Sequence, residues 1–419
     1  MTDAGVPLDP LPTSGPITRS SVARVGAATA LTALCGYAVL YLAARDLNPA
    51  GFSVFGVFWG AFGLVTGAAN GLLQEATREV RAARYTDVIE GPRTHPLRVA
   101  AVIGIIAAAV IAGSSPLWSG HVFVESRQLS VVLLSVGLAG FCLHATLLGM
   151  LAGVGRWTQY GSLMVTDAGI RLAVAVATFA LGLGLVGFLW ATVGGAVAWL
   201  IMLIASPATR AAARLLTPGG TATFLHGAFH SIAAAGASAI LVMGFPVLLK
   251  VTSGDLGAAG GVVILAVTLT RAPLLVPLTA MQGNLIAHFV DQRTERLRAL
   301  LGPAAVVAGV GVVGVLTAGL AGPWLLSTVF GPEYAAGGAL LAWLTAGAVA
   351  VALLTLTGAA AVAAALHRAY SLGWVGATVA SGLLLTLPLE LATRTVVALV
   401  CGPLVGIAVH LAALARPPG

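Results

Sequence analysis

The sequence predicts an all-α polytopic membrane protein of about twelve transmembrane helices, arranged as two six-helix lobes. Composition, the spacing of apolar runs and an internal repeat all predict this fold. Of the 419 residues, 58% are hydrophobic and only 8% are charged, and the mean hydropathy is +1.00. Soluble domains carry about 25% charged residues. The composition therefore excludes an ordinary soluble domain.

Apolar runs long enough to cross a bilayer, which takes about 20 residues, recur along the whole chain. We place them at 22–44, 50–73, 97–118, 129–153, 160–183, 185–206, 223–249, 257–287, 300–328, 336–365, 371–389 and 395–415. The polar start of the chain does not resemble a cleavable signal. The predicted organisation is a disordered cytoplasmic tail (1–21), a first lobe (22–207), a cytoplasmic linker (208–222), a second lobe (223–415) and a short C-terminal tail (416–419).

The basic residues predict topology rather than a nucleic-acid partner. With the N-terminus in the cytoplasm, fifteen of the 21 lysines and arginines fall on the cytoplasmic side and four on the outer side. The remaining two, Arg171 and Arg271, lie within helices. Because cytoplasmic loops carry an excess of lysine and arginine, we expect both termini in the cytoplasm. The alanine-, glycine- and arginine-rich composition favours a GC-rich bacterial genome, so the expected location is a bacterial cytoplasmic membrane.

Arg271 lies near the middle of the run 257–287. A guanidinium at the bilayer centre costs about 3–17 kcal/mol, so it must face water, a partner charge or a ligand. Gln282 lies eleven residues further along, on the same helical face, and Asn284 follows. Two prolines between them favour a kink. We expect this face to line a polar cavity that selects an anion, with these three side chains as substrate ligands.

Polar residues on three other helices each have two interpretations. Arg24 is either an interfacial anchor or a ligand for an anionic head group at the cytoplasmic entrance. Asn70 and Gln74 share a face and either bond a neighbouring helix or line the cavity. His226 and His230, also four residues apart, are either packed core residues or a cavity-facing pair that titrates or contacts phosphate.

Asp167 is the only acid well inside an apolar run, and Arg171 follows it by four residues. This spacing lets the two pair along one helix. The pair is either a structural salt bridge or a proton- or ion-coupling site.

Neither the cysteines nor the histidines predict a metal site or a cofactor. Cys35, Cys142 and Cys401 lie far apart in apolar runs, and the histidine pair lacks the further ligands that zinc needs. The chain contains 53 glycines, and because small residues allow helices to approach closely in lipid, we expect most of them to be packing positions. At this glycine content, Gly-x-x-x-Gly spacings such as Gly56/Gly60, Gly63/Gly67 and Gly149/Gly153 are expected by chance and are not informative.

The two halves of the chain resemble each other at three places. The matched segments are 49–55 and 258–264, 115–123 and 322–330, and 151–161 and 363–373, at offsets of 209, 207 and 212 residues. Because each half has an even number of helices, both halves have the same orientation. The lobes are therefore related by a pseudo-two-fold axis along the membrane normal.

Three motifs resemble the polysaccharide flippases (Wzx-like) of the multidrug/oligosaccharidyl-lipid/polysaccharide (MOP) exporter superfamily. They are Phe-Gly-Pro332-Glu333-Tyr334, Thr-Arg271-Ala-Pro273 and the segment 71–78, and the resemblance covers residues 20 to 415. It implies a MATE-like fold with a V-shaped cavity between the lobes.

The resemblance also implies a function. This is export of a polyprenyl-pyrophosphate-linked oligosaccharide, a cell-surface polysaccharide precursor, by alternating access. Basic cavity residues would meet the pyrophosphate, a role that falls on Arg271 and Arg24. The implied partners are the lipid-linked anionic glycan, membrane lipids, and glycan polymerase or assembly proteins.

Three other functions compete with a flippase. A cation-coupled multidrug antiporter of the same superfamily needs an unpaired cavity carboxylate, and the first and seventh runs contain no acid. A membrane glycosyltransferase or polymerase needs a sizeable external catalytic loop, and the predicted outer loops are short. We therefore expect no enzyme. A transport-inactive scaffold in a glycan-assembly complex stays open.

Overall fold

The computed structural model describes residues 19–83, 91–281, 285, 288, 289, 292 and 296–416. Within these ranges the chain is nearly all helical. The helices are α1 (Arg19–Asp46), α2 (Pro49–Ala82), α3 (Pro96–Val122), α4 (Arg127–Gly153), α5 (Trp157–Leu181), α6 (Gly184–Gly194), α7 (Ala198–Ala205), α8 (Pro207–Ala213), α9 (Thr221–Val242), α10 (Phe245–Ser253), α11 (Gly257–Ala280), α12 (Arg296–Val329), α13 (Gly338–Ala363), α14 (His367–Leu384) and α15 (Leu391–Leu414). A 3-10 turn, Gly195–Val197, joins α6 to α7, and a second one spans Pro332–Tyr334.

The described helices confirm the predicted fold class. Eleven helical segments in the described ranges are long and apolar enough to cross a membrane, and α14 supplies the twelfth crossing. Each predicted run coincides with one crossing, although the seventh is broken into α9 and α10. The first lobe contains α1 to α7 and the second contains α9 to α15. We call the side on which α1 begins and α15 ends the terminus side, and the opposite side the far side.

Local chemistry sets the helix ends. At the start of α2, the Asn48 side chain accepts a 2.7 Å hydrogen bond from the Gly51 N–H, and Pro49 occupies the first turn, where no N–H is needed. Gly182 ends α5 in a left-handed conformation, with a φ of 63°. The connections at these two places, 47–48 and 182–183, are two residues long, so the crossings that they join run antiparallel.

The internal repeat is visible in the helices. The matched segments lie at the starts of α2 and α11, at the ends of α3 and α12, and at the turns between α4 and α5 and between α13 and α14. The repeated motifs therefore occupy corresponding helix ends in the two lobes.

The predicted linker 208–222 contains most of α8 and a short strand. Strand β2 (Thr217–Pro218) pairs antiparallel with β1 (Arg93–Thr94), just before α3. The Thr94 hydroxyl also donates to the Gly219 carbonyl at 2.9 Å. The connection between the lobes is therefore fastened to the first lobe.

Candidate substrate site at the seam between the lobes

Helix α2 of the first lobe packs against α9, α10 and α11 of the second lobe. Five glycines on one face of α2 make this approach possible, and we call them the glycine seam: Gly56, Gly60, Gly63, Gly67 and Gly71. A Cβ added at these positions would meet, in order, Ile264, Pro246, Met243, Ala239 and the backbone of Ile232. Small residues let helix backbones approach closely in membranes. The glycines of α2 therefore allow close contact between the two lobes.

The glycines of the Gly-x-x-x-Gly pairs are packing positions, as we expect of most glycines in this chain. Both pairs on α2 belong to the glycine seam. Gly149 and Gly153 pack on α2 from α4, where a Cβ would meet the Leu73 carbonyl and the Val80 side chain. Glycine content alone gave no means of telling seam positions from the rest, because the partner helices are distant in sequence.

On the far side the lobes are joined through Tyr334. Its hydroxyl donates a 2.9 Å hydrogen bond to the Leu47 carbonyl, and its ring lies edge-on to Phe52. Tyr41 and Phe330 form a second edge-on pair nearby. Burial, with a smaller contribution from the Glu333 carboxylate, raises the pKa of Tyr334 above its usual range. The hydroxyl therefore stays protonated and remains a donor.

Arg271 lies within α11 and is only 7% exposed. Its Nη1 donates to the carbonyls of Leu241 and Val242, at 3.3 and 3.0 Å. The guanidinium carbon lies 5.0 Å from the ring centroid of Phe245. Arg271 therefore binds the break between α9 and α10.

The sequence of the seventh crossing explains why donors are needed at this break. Helix α9 ends at Val242 and α10 begins at Phe245, with Gly244 between them. Pro246 has no N–H to offer the Val242 carbonyl. An unsatisfied buried carbonyl costs about 1–3 kcal/mol, and the guanidinium removes that cost for two of them.

The remaining edge of the guanidinium makes no hydrogen bond within the part of the chain that the structure describes. Its Nε and Nη2 atoms are buried there without a hydrogen-bond partner. Their N–H groups lie parallel, in the arrangement that binds two oxygens of a carboxylate or phosphate. Among the acids of the described ranges, none lies within ion-pair distance of Arg271. We call the Nε–Nη2 side the free edge of Arg271.

The free edge does not open onto water in this structure. We expected Arg271 to face an open crevice, and this expectation is wrong for the conformation seen here, because α9, α10 and α11 enclose the side chain. Gln282 and Asn284 lie outside the described residues.

Arg24 lies in a different place, in an open groove between α1 and α5. Its Nη1 donates to the Thr158 hydroxyl at 3.0 Å. The groove has a volume of about 460 Å³, and its walls include Leu31, Trp157 and Ser162 but not Arg271. In the described chain the two arginines therefore do not share this cavity.

The remaining candidates gather at the terminus side of α2 and α9. Asn70 is half-buried and Gln74 is exposed. His226 and His230 are both exposed, with their Nε2 atoms 3.2 Å apart. The interpretation of the two histidines as packed core residues is therefore wrong for this conformation, and the interpretation as a cavity-facing pair that titrates or contacts phosphate stays a prediction.

Glu75, which the sequence analysis did not select, is buried in the same region. It is 2% exposed and accepts two hydrogen bonds from Arg78, at 2.6 and 3.0 Å. Arg78 also bonds Glu79 at 2.7 Å. The Glu75 carboxylate occupies the space that a side chain at Gly227 of α9 would fill. Glu75 lies just beyond the predicted apolar run 50–73, so its burial at a contact between the lobes was not evident from sequence.

Asp167 and Arg171 form the predicted pair. Arg171 Nε lies 3.1 Å from Asp167 Oδ2, and the guanidinium lies over the Phe62 ring at 5.4 Å. The carboxylate fits where a side chain at Gly195 would lie, in the 3-10 turn between α6 and α7. The pair is thus charge-balanced within the first lobe. In the part of the chain that the structure describes, no group of three or more histidine, cysteine, aspartate or glutamate side chains is placed to hold a metal ion.

The sequence has close relatives among mycobacterial proteins. No family model matches it. It is 75% identical over 421 residues to the uncharacterized protein Mb3654 of Mycobacterium bovis, covering 99% of this chain and 98% of that protein. It is 74% identical to Rv3630 and 73% identical to Rv1510, both uncharacterized proteins of Mycobacterium tuberculosis strain H37Rv, with 98% and 96% of those proteins covered and 99% and 100% of this chain. The chain belongs to this mycobacterial family.

Solved structures show which fold this mycobacterial family has. An inward-facing multidrug resistance MATE family transporter of the MOP superfamily aligns with a TM-score of 0.71 at 15% identity, over 91% of this chain and 94% of that one. The outward-facing form of a MATE transporter gives 0.63 at 16% identity, over 94% of each chain. A MOP superfamily transporter from Pyrococcus furiosus, described as having a binding pocket of reverse polarity, gives 0.63 at 15% identity, over 95% and 96%. The predicted MATE-like fold is confirmed.

Proposed function

We propose that the protein is a flippase that exports a polyprenyl-pyrophosphate-linked oligosaccharide across the cytoplasmic membrane by alternating access. The observation that carries this proposal is the free edge of Arg271. A buried cation with two unused donors and no described acid beside it is suited to an anion supplied from outside the protein. A pyrophosphate offers paired oxygens at the spacing that a guanidinium binds.

The two-lobed fold supports transport rather than catalysis. The MATE-like transporters with which the chain aligns include inward- and outward-facing forms. The chain aligns better with the inward-facing form, and its far side is closed by Tyr334 and Leu47. We assign the terminus side to the cytoplasm, so the substrate enters there and Arg271 becomes accessible when the seam parts.

The other candidate residues fit roles around the sugar and the lipid. We propose that Asn70 and Gln74 bond sugar hydroxyls and that His226 and His230 contact phosphate. Arg24 lines a groove that can bind a lipid head group. By sequence spacing Gln282 shares the helical face of Arg271, and we propose Gln282 and the nearby Asn284 as further substrate ligands. The prenyl chain stays in the membrane between the lobes.

The energetics do not require a coupling ion. An inside-negative potential favours outward movement of an anion by about 2.3 kcal/mol per charge per 100 mV. The Asp167–Arg171 pair is neutralised within its lobe, so we assign it a structural role. We expect glycan polymerase or assembly proteins as partners that use the exported product.

One observation favours a second function, cation-coupled multidrug export. Glu75 and Glu79 are both buried, yet in the described chain they share one guanidinium, that of Arg78. With both carboxylates ionised, the described part of the chain leaves one negative charge beside Arg78 unbalanced, and a proton or a cationic drug can balance it. Drug resistance on overexpression that disappears with Glu75→Gln would support this function over the flippase.

A deletion strain of a mycobacterial host tests the proposed function. We expect a lipid-linked oligosaccharide to accumulate on the inner leaflet, and the intact gene to reverse the accumulation. A strain with an unchanged pool of lipid-linked sugars would contradict the proposal. Movement of substrate by the purified protein alone in liposomes excludes a role only as a scaffold.

A further inference from the structure

We propose that Arg271 is the latch of an elbow in the seventh crossing, and that an anion binding at its free edge moves this elbow. The elbow is the segment from Leu241 to Pro246, which joins α9 to α10. The anion half of the inference rests on the proposed function, whereas the latch half does not.

The latch follows from a missing donor. In an uninterrupted helix the Val242 carbonyl would accept from the N–H of residue 246, but a proline occupies that position. Arg271 donates to this carbonyl and to that of Leu241 instead. The negative end of the α9 dipole adds to the attraction. A side chain from α11 thus replaces a backbone hydrogen bond within the seventh crossing.

The elbow also lies on the glycine seam. The Pro246 ring packs on Gly60 of α2, and the neighbouring Met243 packs on Gly63. Both glycines belong to the opposite lobe. A change in the angle between α9 and α10 therefore alters the contact between the lobes, which is the contact that alternating access must rearrange.

One guanidinium serves both the elbow and the anion. The Nη1 end is committed to the carbonyls, and the free edge has two unused donors. An anion at the free edge is attracted by the same guanidinium and draws the Arg271 side chain toward itself. The hydrogen bonds from Nη1 to the two carbonyls then weaken. Binding of the anion and the hydrogen bonds that hold the elbow are then linked. The anion changes the equilibrium between the held and released elbow by the same factor by which release of the elbow changes the affinity for the anion.

A double-mutant cycle tests the latch without any ligand. Pro246→Ala restores an N–H that can bond the Val242 carbonyl. Added to Arg271→Ala in the purified full-length protein, it should therefore recover about half or more of the decrease in melting temperature that Arg271→Ala causes. Arg271→Lys replaces Arg271→Ala in the cycle if the latter does not accumulate. Pro303→Ala, at a proline within α12, is the matched control and should combine additively with the Arg271 variant. Additivity between Pro246→Ala and Arg271→Ala would overturn the latch.

Spin labels test the coupling to an anion, with inorganic pyrophosphate as the probe. Leu225→Cys on α9 and Val251→Cys on α10 are exposed label sites, in a background in which Cys35, Cys142 and Cys401 are replaced. Pyrophosphate should shift the distance between the labels in the otherwise unchanged protein. Pyrophosphate should still bind the Pro246→Ala variant, which a change in the melting temperature of that variant will show. It should not shift the distance between the labels in that variant.

The outcomes separate the two proposals. A shift that persists in Pro246→Ala, or bound pyrophosphate that leaves the parent distance unchanged, overturns the coupling. Failure of pyrophosphate to bind the parent protein contradicts the coupling and the anion site of the proposed function together. The double-mutant cycle still decides the latch in that case.

Discussion

The hydroxyl of Tyr334 donates to the carbonyl of Leu47 across the two lobes, at 2.9 Å. Tyr334 is fully buried, although it lies in the 3-10 turn just after α12. This hydrogen bond joins the loop between α1 and α2 to the far end of the second lobe. It therefore holds the far side closed in the conformation seen here.

Removing this hydroxyl should favour opening of the far side. Tyr334→Phe leaves the Leu47 carbonyl without its donor, at a cost of about 1 kcal/mol, or about a fivefold change in the ratio of closed to open molecules. Spin labels at Ala50→Cys and Ala335→Cys should report a larger population at long distance. Ser381→Ala removes a buried hydroxyl that donates within the second lobe, to the Ala398 carbonyl at 3.0 Å, and should leave that population unchanged. Equal distance distributions for Tyr334→Phe and the parent would contradict the role of this bond.

The glycine seam should not tolerate a methyl group. A Cβ at Gly71 would meet the backbone of Ser231 and Ile232, which cannot move aside as a flexible side chain can. Overpacking costs about 1–3 kcal/mol, or about a 5- to 150-fold loss of the closed seam. Gly71→Ala should therefore reduce transport in liposomes. Gly113→Ala on α3, where no atom lies within 4 Å of the added methyl, is the matched control. Full transport by Gly71→Ala would show that the lobes do not need this contact.

Asp167 and Arg171 should behave as a structural pair. Removing one partner of a buried ion pair leaves an uncompensated charge, whereas removing both does not. Arg171→Gln should therefore lower the melting temperature more than the double variant Asp167→Asn/Arg171→Gln. Transport by the double variant should keep the pH dependence of the parent. A double variant that is stable but has lost its pH dependence would instead assign ion coupling to this pair.

Most of the fold follows from the sequence because bilayer thickness fixes the length of each crossing. Each predicted apolar run coincides with one crossing in the described part of the chain, and the three matched segments predicted two lobes. The elbow was missed because α9 and α10 are both apolar, so residues 223–249 look like one helix. Pro246 marks the break, but proline is also tolerated within intact membrane helices, as it is in α12.

The site was predictable only in part. The position of Arg271 within an apolar run predicted it as a candidate site residue, since such a charge is costly without a function, and its role as a substrate ligand stays a prediction. Its carbonyl partners could not be deduced, because they depend on how α9 and α11 pack. The closeness of Glu75 to Gly227 and the glycine seam likewise arise from contacts between lobes, which local sequence does not encode.

The movement of a polyprenyl-pyrophosphate-linked oligosaccharide by purified protein in liposomes tests the central claim most directly. With a membrane potential applied, the parent should move substrate, and Arg271→Ala should not. Arg394→Ala, which removes an arginine that also bonds a backbone carbonyl, should retain transport. Undiminished transport by a correctly folded Arg271→Ala variant would contradict the account.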